Sequence, residues 1–452
     1  MHMIKKTILL FGMVFCLVGC QTKSPNLVFI LADDLNKKDL SCYGSKNVQT
    51  PNIDKLAAEG MQFDHMFSTT AMCAPLRMQL YTGLYPVRSG AYPNHGMVKN
   101  DVKSIVQYLK PYNYRCGISG KWHCKPLSVF AFDSVEPNLK KNSYLDYMTK
   151  SDDPFVLFVC SHEPHVKWNK GDAKAFDPST LVVPEYLVDN EETRAALCKY
   201  YAEIVYLDNQ VKEVMEALKE SGKEKNTMVM FASEQGAQLP GCKWTLYDNG
   251  IAAAFIARYP KLIKPGTRSS AMVNYIDVLP TFMDLIGAEI PQMDGKSFLN
   301  ILKGNQDNHS DYVFGIHTQK GAMGSPKDGY PIRSVRSDQY LYIKNIRPHV
   351  TFGNAVTMTD SEKYWQSWLR DTLTNDNAKF LSQRYLNRPA IEFYDVTKDP
   401  YQLNNLADSS MYMDVIKEMD AVLTSWMQDQ GDEGGKTEDE FHLHKPKKKK
   451  KK

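Results

Sequence analysis

Short apolar runs alternate with helical patterns between residues 26 and 257, and this alternation limits the possible folds more than any other feature. A run without charged residues suits a strand that is buried on both faces, as in a parallel sheet covered by helices. The longest helical pattern extends from Glu192 to Glu220 and carries an apolar stripe at helical spacing. The sequence therefore predicts an α/β fold with a doubly wound, mostly parallel sheet. The strand-like runs are residues 26–31, 114–119, 155–160, 227–232 and 253–257.

The sequence changes character after Gly304, where Asn, Asp, His and Gly become frequent. Shorter strand-like runs and a last helical pattern follow, which predict a small antiparallel sheet with a covering helix. A chain of 452 residues, with 43% hydrophobic and 24% charged residues, fits one large globular domain and a smaller one. We place the large domain at residues 26–305 and the C-terminal subdomain at residues 306–430.

The N-terminal residues have the pattern of an export signal. Two lysines precede an apolar run at residues 8–18, and the run ends in Leu-Val-Gly-Cys20, which resembles a bacterial lipobox. The run is shorter than the roughly 20 residues that span a bilayer. We therefore expect a signal peptide at residues 1–19, lipidation of Cys20 and a tether at residues 20–25. An exported lipoprotein of the periplasm or outer membrane follows, with the lipid as its only membrane contact.

Seven of the lysines cluster at the C-terminal end, so the formal charge of +3 does not describe the rest of the chain. Such a run is typical of a solvated tail and gives little support for a nucleic-acid partner. We expect residues 431–452 to form a disordered, lysine-rich tail. Seven cysteines follow Cys20, an odd number without any C-x-x-C spacing, which predicts neither a zinc site nor a disulfide framework.

Polar, mostly ionisable residues follow four of the strand-like runs. Because the carboxyl ends of parallel strands meet at one edge of a sheet, we expect these residues to lie close together. Two adjacent carboxylates at such an edge are costly to bury unless a cation lies between them. Exposed loop acids and surface lysines are the alternative interpretation. The four segments are Asp33-Asp34, Gly120-Lys121-Trp122-His123, Ser161-His162-Glu163-Pro164-His165 and Ser233-Glu234-Gln235-Gly236.

A fifth segment, Cys73-Ala74-Pro75-Leu76-Arg77, reads as a loop that enters a helix with its first turn at residues 75–77. Cys73 would then lie at the positive end of a helix, with Arg77 one turn further on. That setting suits a nucleophile that attacks an anionic ester. A buried, inert cysteine at the start of a core helix is the alternative.

With these segments the chain resembles the formylglycine-dependent sulfatases of the alkaline phosphatase superfamily. Their C-x-P-S-R motif is matched except that Leu76 replaces the serine, and Glu234 stands where the family has aspartate. The resemblance implies an alkaline-phosphatase-like sheet sandwiched by helices, and a Cys73 that a formylglycine-generating or anaerobic sulfatase-maturating enzyme converts to formylglycine (3-oxoalanine). It also implies a Ca²⁺ or Mg²⁺ ion. The residues implied to hold the ion are Asp33, Asp34, Cys73, Glu234 and Gln235.

The resemblance assigns the catalytic roles as well. Arg77, Lys121 and His123 would assist the formylglycine nucleophile, with His123 taking up its proton. His165 would protonate the leaving group, and Lys243 would add a cation beside the sulfate. His162 and Arg333 are candidate substrate contacts.

Within the family, the chain looks most like the N-sulfoglucosamine sulfohydrolases. The segments that carry this resemblance are residues 120–133, 162–165, 176–186, 330–336 and 392–400. The implied substrate is a sulfated saccharide, and the implied reaction removes the N-sulfate of a non-reducing-end glucosamine in heparin or heparan sulfate fragments. A carbohydrate O-sulfatase is the near alternative. A phosphonate monoester or phosphodiester hydrolase on the same scaffold, and a catalytically dead glycan-binding lipoprotein, are the further alternatives.

Overall fold

The computed structural model describes residues 23–135, 139–319, 324–358 and 362–440. The expected signal peptide, the lipidation site Cys20 and residues 441–452 of the expected tail lie outside this described part. Among the described residues, no helix combines the length and apolarity needed to cross a membrane.

Within the described residues, nine strands form the larger sheet: β1 (Asn26–Ala32), β2 (Met61–Phe67), β3 (Arg115–Gly120), β4 (Asp133–Ser134), β5 (Phe155–Cys160), β6 (Thr227–Ser233), β7 (Ala252–Arg258), β8 (Thr267–Ser269) and β9 (Val273–Asn274). Their order is β4-β3-β5-β1-β6-β7-β2-β8, with β9 beside β2. The five strands from β4 to β6 are parallel, whereas β7 is antiparallel to both of its neighbours. The mostly parallel sheet that the apolar runs predict is therefore confirmed.

Strand β2 was not predicted because Asp64 and His65 interrupt its apolar pattern. The pairing of β2 with β7 shifts register between Phe63 and Met66, so the two polar residues lie in an irregularity of the strand. A register shift removes the regular alternation on which sequence reasoning depends.

Helices cover both faces of this sheet, which is why its central strands are apolar throughout. Along β1, Val28 and Ile30 pack in one hydrophobic cluster and Leu27, Phe29 and Leu31 in the other. Every residue of β1 is buried, as expected for a parallel strand between two helical layers. The helices are α1 (Pro51–Ala58), α2 (Cys73–Thr82), α3 (Pro86–Ser89), α4 (Ile105–Leu109), α5 (Lys141–Thr149), α6 (Glu191–Glu220), α7 (Asp248–Ile251), α8 (Val278–Leu285), α9 (Leu299–Leu302), α10 (Ala355–Met358), α11 (Tyr364–Asp371), α12 (Asp376–Leu386), α13 (Met413–Gln430) and α14 (Gly435–Glu440).

A separate antiparallel sheet forms the smaller unit that we expected near the C-terminus. Its strands, in spatial order, are β10 (Val313–His317), β11 (Ile332–Arg336), β12 (Tyr340–Asn345) and β13 (Ile391–Asp395). Helix α13 covers it, with Leu423 and Trp426 in the same hydrophobic cluster as Phe393 of β13. The backbone N–H of Ile316 donates to the carbonyl of Thr69 at 2.7 Å, so β10 reaches the segment just before α2.

Residues 431–440 differ from the prediction of a disordered tail, because they are folded against the smaller sheet. Asp432 forms a two-pronged ion pair with Arg333 of β11, in which the NH2 group of the arginine lies 2.8 Å from Oδ1. Both side chains are wholly buried. A buried guanidinium needs a carboxylate partner, and the segment after α13 supplies it. The same pair removes Arg333 from the candidate substrate contacts.

Candidate active site

The carboxyl ends of β3, β5, β1 and β6 lie side by side, and the segments that follow them form the floor of the site. The backbone hydrogen bonds of the sheet continue past the strands. The N–H groups of Lys121, Ser161 and Glu234 donate to the carbonyls of Cys160, Leu31 and Ala32 at 3.0, 2.9 and 2.8 Å. These hydrogen bonds fix the four segments next to one another at the carboxyl edge of the sheet. The strand order predicts this placement.

Two glycines in these segments are required by close backbone contacts. A Cβ on Gly120 would lie 2.1 Å from the carbonyl oxygen of Cys160, and Gly120 has a φ of +80°. A Cβ on Gly236 would lie 1.7 Å from the carbonyl oxygen of Asn249. A larger residue at either position would displace the segment that carries Lys121 or the segment that carries Glu234.

Cys73 lies over the end of β1 as the first residue of α2. The helix starts two residues earlier than predicted, and all ten of its residues are buried. The Sγ atom lies 3.3 Å from Oδ1 of Asp33 and 3.2 Å from Nε2 of Gln235. Burial, together with the carboxylates of Asp33 and Glu234, raises the pKa of the Cys73 thiol to about 12. The encoded thiol is therefore protonated at neutral pH and is a poor nucleophile as it stands.

Around Cys73 lies a cluster of six charged side chains, which we call the charged cluster: Asp33, Asp34, Arg77, Lys121, Glu234 and Lys243. Lys121 pairs with Asp33, and Nζ of Lys243 lies 2.6 Å from Oδ2 of Asp34. Burial alone would lower the pKa of each lysine, but the paired aspartate outweighs it and raises the pKa of both. The two lysines therefore stay charged where a substrate anion would approach.

Glu234 is placed differently from the metal ligand that the resemblance implied. Its Oε1 and Oε2 accept hydrogen bonds from Nε and NH2 of Arg77 at 3.1 and 2.9 Å, and both side chains are fully buried. The NH1 group of Arg77 donates to the carbonyl of Lys121 at 2.7 Å. Arg77 is thus a brace between two strand ends, and Glu234 also lies beside Asp33.

The remaining ligand candidates fit a hard divalent cation. Nε2 of Gln235 lies 2.5 Å from Oδ1 of Asp34, while its Oε1 is buried and lacks a hydrogen-bond partner among the described residues. A half-turn of this amide would bring the oxygen beside the buried carboxylates, and such a set of oxygen donors is what Ca²⁺ and Mg²⁺ prefer. Ligand atoms of Asp33, Cys73 and His165 also lie within 4.8 Å of one another.

His165 approaches the charged cluster from the loop after β5. Its Nδ1 lies 2.5 Å from the carbonyl oxygen of Val166. Because a carbonyl oxygen only accepts, Nδ1 carries a hydrogen, and the exchangeable position is Nε2. That Nε2 lies 3.6 Å from Oδ2 of Asp34, so a second proton there would face a carboxylate. The acid role of His165 stays an expectation from the resemblance.

His123 pairs with a residue that sequence reasoning missed. Its Nε2 lies 2.7 Å from Nδ1 of His95, and the two rings are 4.6 Å apart between centroids. Burial lowers the pKa of His123 to about 3, and Lys121, Arg77 and His95 add to the effect. The ring is therefore neutral near pH 7, and the proton-accepting role stays an expectation from the resemblance. His95 follows no strand and belongs to no motif, so nothing in the sequence marks it.

A cavity of about 320 Å³ lies beside the charged cluster. Its lining includes Asp33, Lys121, His162 and His165, so the exposed His162 does reach the site. The structure brings together all of the candidate residues that it describes except Arg333, which lies buried in the second sheet.

Comparisons with known proteins point in one direction. The family model described as Sulfatase matches residues 25–151 and 132–288, and the model described as N-sulphoglucosamine sulphohydrolase, C-terminal, matches residues 242–350. An ulvan-active sulfatase of Formosa agariphila is 32% identical over 434 residues, covering 91% of this chain and 81% of that protein. The human N-sulphoglucosamine sulphohydrolase is 26% identical over 467 residues, covering 90% of each chain.

The fold also matches a solved structure of a protein in complex with its substrate D-glucosamine-2-N,6-O-disulfate. The TM-score is 0.65 at 19% identity, over 91% of this chain and 99% of that chain.

Proposed function

Since this chain belongs to the sulfatase family and is a glycan sulfatase by its relatives, we propose that it removes the N-sulfate of a non-reducing-end glucosamine. The observation that carries the proposal is the match of residues 242–350 to the C-terminal model of the N-sulphoglucosamine sulphohydrolases. The matched range begins beside Lys243 and extends through β12 of the smaller sheet. In this proposal the substrate is a heparin or heparan sulfate fragment.

We further propose that the protein works with two groups absent from its encoded sequence. Formylglycine at Cys73 would supply an oxygen nucleophile in place of the protonated thiol. A Ca²⁺ or Mg²⁺ ion, held by Asp33, Asp34 and the amide oxygen of Gln235, would balance negative charge on the sulfate. The orphaned Oε1 of Gln235 supports such a site. Glu234 stays a candidate ligand, and it would have to share with the ion the oxygens that Arg77 holds.

The residues of this chain divide the remaining work between charge and proton transfer. The ammonium groups of Lys121 and Lys243 would bind sulfate oxygens and stabilise the charge that develops on them. His165, with its hydrogen on Nδ1 and an exchangeable proton on Nε2, would donate that proton to the leaving nitrogen of the glucosamine. Arg77 would act as a positioning residue through the carbonyl of Lys121. His123 would be held in its orientation, in the neutral state, by the hydrogen bond with His95.

A second candidate activity is the hydrolysis of an O-sulfate on another sulfated saccharide. It is favoured by the 32% identity with an ulvan-active sulfatase, which exceeds the identity with the N-sulphoglucosamine sulphohydrolase. Both candidates share the charged cluster, so they differ only in the sugar that the cavity accepts.

Defined substrates separate the two candidates. The purified protein, co-expressed with a maturase, is assayed on N-sulfated, 3-O-sulfated and 6-O-sulfated glucosamine and on ulvan oligosaccharides, with sulfate release as the readout. We expect the highest kcat/KM on the N-sulfated sugar. Preferential release from an O-sulfated substrate would assign the second activity, and preferential turnover of a matched phosphate ester would contradict both.

Binding of the cation is expected to stabilise the folded protein. At a Ca²⁺ concentration one hundred times the Kd, stabilisation of about 2.7 kcal/mol follows if the ion binds only the native state. Asp34→Asn should lose most of the rise in Tm that Ca²⁺ produces, because it removes a charged ligand. Asp414→Asn, which changes a fully exposed carboxylate on α13, is the control and should keep it. Equal rises in the two variants would contradict the proposed ligands.

We also propose that the chain is an exported lipoprotein anchored through Cys20, and that a maturase is its partner during synthesis. The proposal rests on the lipobox-like sequence at residues 17–20 and on the motif around Cys73. Labelling with a radioactive fatty acid, compared between the wild type and Cys20→Ala, tests the anchor.

A further inference from the structure

The loop after β5, residues 161–171, carries more than the two histidines already described. Lys167 and Lys170 line the same cavity as Asp33 and Lys121. Both lysines are exposed. The loop therefore presents two cations at the mouth of the cavity, beyond the charged cluster that surrounds Cys73.

Helix α6 fixes the backbone of this loop. Glu203 of α6 is buried, and its Oε1 accepts hydrogen bonds from the backbone N–H groups of Asn169 and Lys170 at 2.5 and 2.6 Å. Trp168 is buried as well, with its ring 5.4 Å from that of Tyr200. The residues that flank Lys167 and Lys170 are thus anchored, and a lysine on an anchored backbone loses less freedom when it binds a ligand.

The carboxylates that share the cavity are already engaged. Asp33 pairs with Lys121, and Glu163 is buried and accepts a hydrogen bond from Oγ of Ser161 at 3.1 Å. Glu203 holds the loop backbone. In the described part of the chain, no carboxylate lies within ion-pair distance of Lys167 or Lys170. Two lysines that form no ion pair, at the entrance of an anion-hydrolysing site, suit a second anionic group on the substrate.

We propose that Lys167 and Lys170 form a second anion subsite, which binds a charged group of the saccharide other than the sulfate that is cleaved. The group is a uronate carboxylate or a further sulfate, both of which are exposed oxyanions that an ammonium group recognises. The subsite selects polyanionic glycans over singly charged sugars. This inference rests on the proposed sulfatase activity and adds a specificity determinant to it.

The experiment compares three substrates that carry the same cleavable sulfate. One is a monosulfated glucosamine, one is the same sugar with a second sulfate, and one is its disaccharide with a uronate. In the wild type, kcat/KM should be higher for the two doubly charged substrates. In the double variant Lys167→Ala/Lys170→Ala, the ratio of kcat/KM between doubly and singly charged substrates should fall about fivefold to tenfold, mainly through KM, as expected for two exposed ion pairs.

Lys150→Ala is the matched control, since Lys150 is equally exposed but precedes β5 and so lies at the opposite edge of the sheet. It should leave the ratio unchanged. Raising the salt concentration should lower the wild-type ratio more than that of the double variant, because salt screens exposed charges. Loss of the preference for only one substrate identifies the bound group as carboxylate or sulfate.

The possible failures are distinct. A wild type that releases sulfate from none of the three substrates would refute the proposed function and the inference together. Normal turnover with an unchanged ratio in the double variant would overturn the second subsite alone.

Discussion

Replacing Cys73 by alanine is expected to abolish sulfate release, with a fall in kcat of at least about a thousandfold. Alanine cannot be converted to formylglycine, so the variant has no nucleophile at this position. In the unconverted wild type, burial and the neighbouring carboxylates keep the Cys73 thiol protonated. The measurement is sulfate release by the purified variant, made beside intact-mass analysis of the wild-type peptide that spans Cys73. Conversion of the cysteine to formylglycine lowers that mass by about 18 Da.

The control is Cys116→Ala, which removes another buried thiol from β3, away from the carboxyl end of the strand. It should retain turnover, and both variants should lose a similar, small amount of stability. Turnover by Cys73→Ala at the wild-type rate would show that Cys73 is a core residue. An unconverted thiol in a fully active wild-type protein would exclude the formylglycine proposal.

Replacing Arg77 by leucine is expected to destabilise the folded protein strongly. Arg77 and Glu234 form a fully buried, two-pronged ion pair, and removal of one partner leaves a buried carboxylate without compensation. Such changes cost about 3–5 kcal/mol. The free energy of unfolding, measured with urea in the presence of a chelator, tests this expectation.

The loss should depend on pH in a defined direction. Burial, reinforced by Asp33, raises the pKa of Glu234 above its ordinary value, while Arg77 opposes the rise. Without Arg77 the folded-state pKa is higher still, so the native state binds more protons than the unfolded state above the ordinary pKa of a glutamate. Stability then falls as the pH rises through this range. Because the wild-type pKa of Glu234 is itself about 8, both proteins share this fall up to that pH, and the extra loss in Arg77→Leu should grow only above it. An equal loss relative to the wild type at pH 6 and at pH 10 would contradict a buried charge.

Arg333→Leu provides a matched comparison, because Arg333 forms the same kind of buried, two-pronged pair with Asp432 outside the site. It should be destabilised to a similar extent. Below its unfolding transition it should keep normal sulfate release, whereas Arg77→Leu should not, because Lys121 loses its brace. Loss of turnover in folded Arg333→Leu would return Arg333 to the set of functional residues.

Much of the large sheet could be predicted from the sequence because its central strands are buried on both faces. Such strands are continuous apolar runs, so they can be identified without knowing the strands that they pair with. The bounds of β1, β5 and β6 each agree with an apolar run to within one residue. Strand β2 was missed because its polar residues lie in an irregular pairing with β7. The folded segment at residues 431–440 was missed because the fixing contact is an ion pair with Arg333, about one hundred positions away in sequence.

The residues of the site were predictable where they follow strands, as Asp33, Lys121, His165 and Gln235 do. Their partners were not. The pairing of Glu234 with Arg77, of Lys243 with Asp34 and of His123 with His95 depends on side-chain reach between segments distant in sequence.

The sequence by itself determined which chemical groups this protein places at one edge of a sheet, because parallel strand order brings the residues after each strand to the same place. Only the tertiary structure decided which of these groups are free to act. Arg77 and Glu234 neutralise each other, and the Cys73 thiol is held protonated among carboxylates. Among the described residues, Lys167 and Lys170 form no ion pair at the mouth of the cavity. The physical reason is that charge compensation in a buried site depends on distances of a few ångströms, which strand order alone does not set.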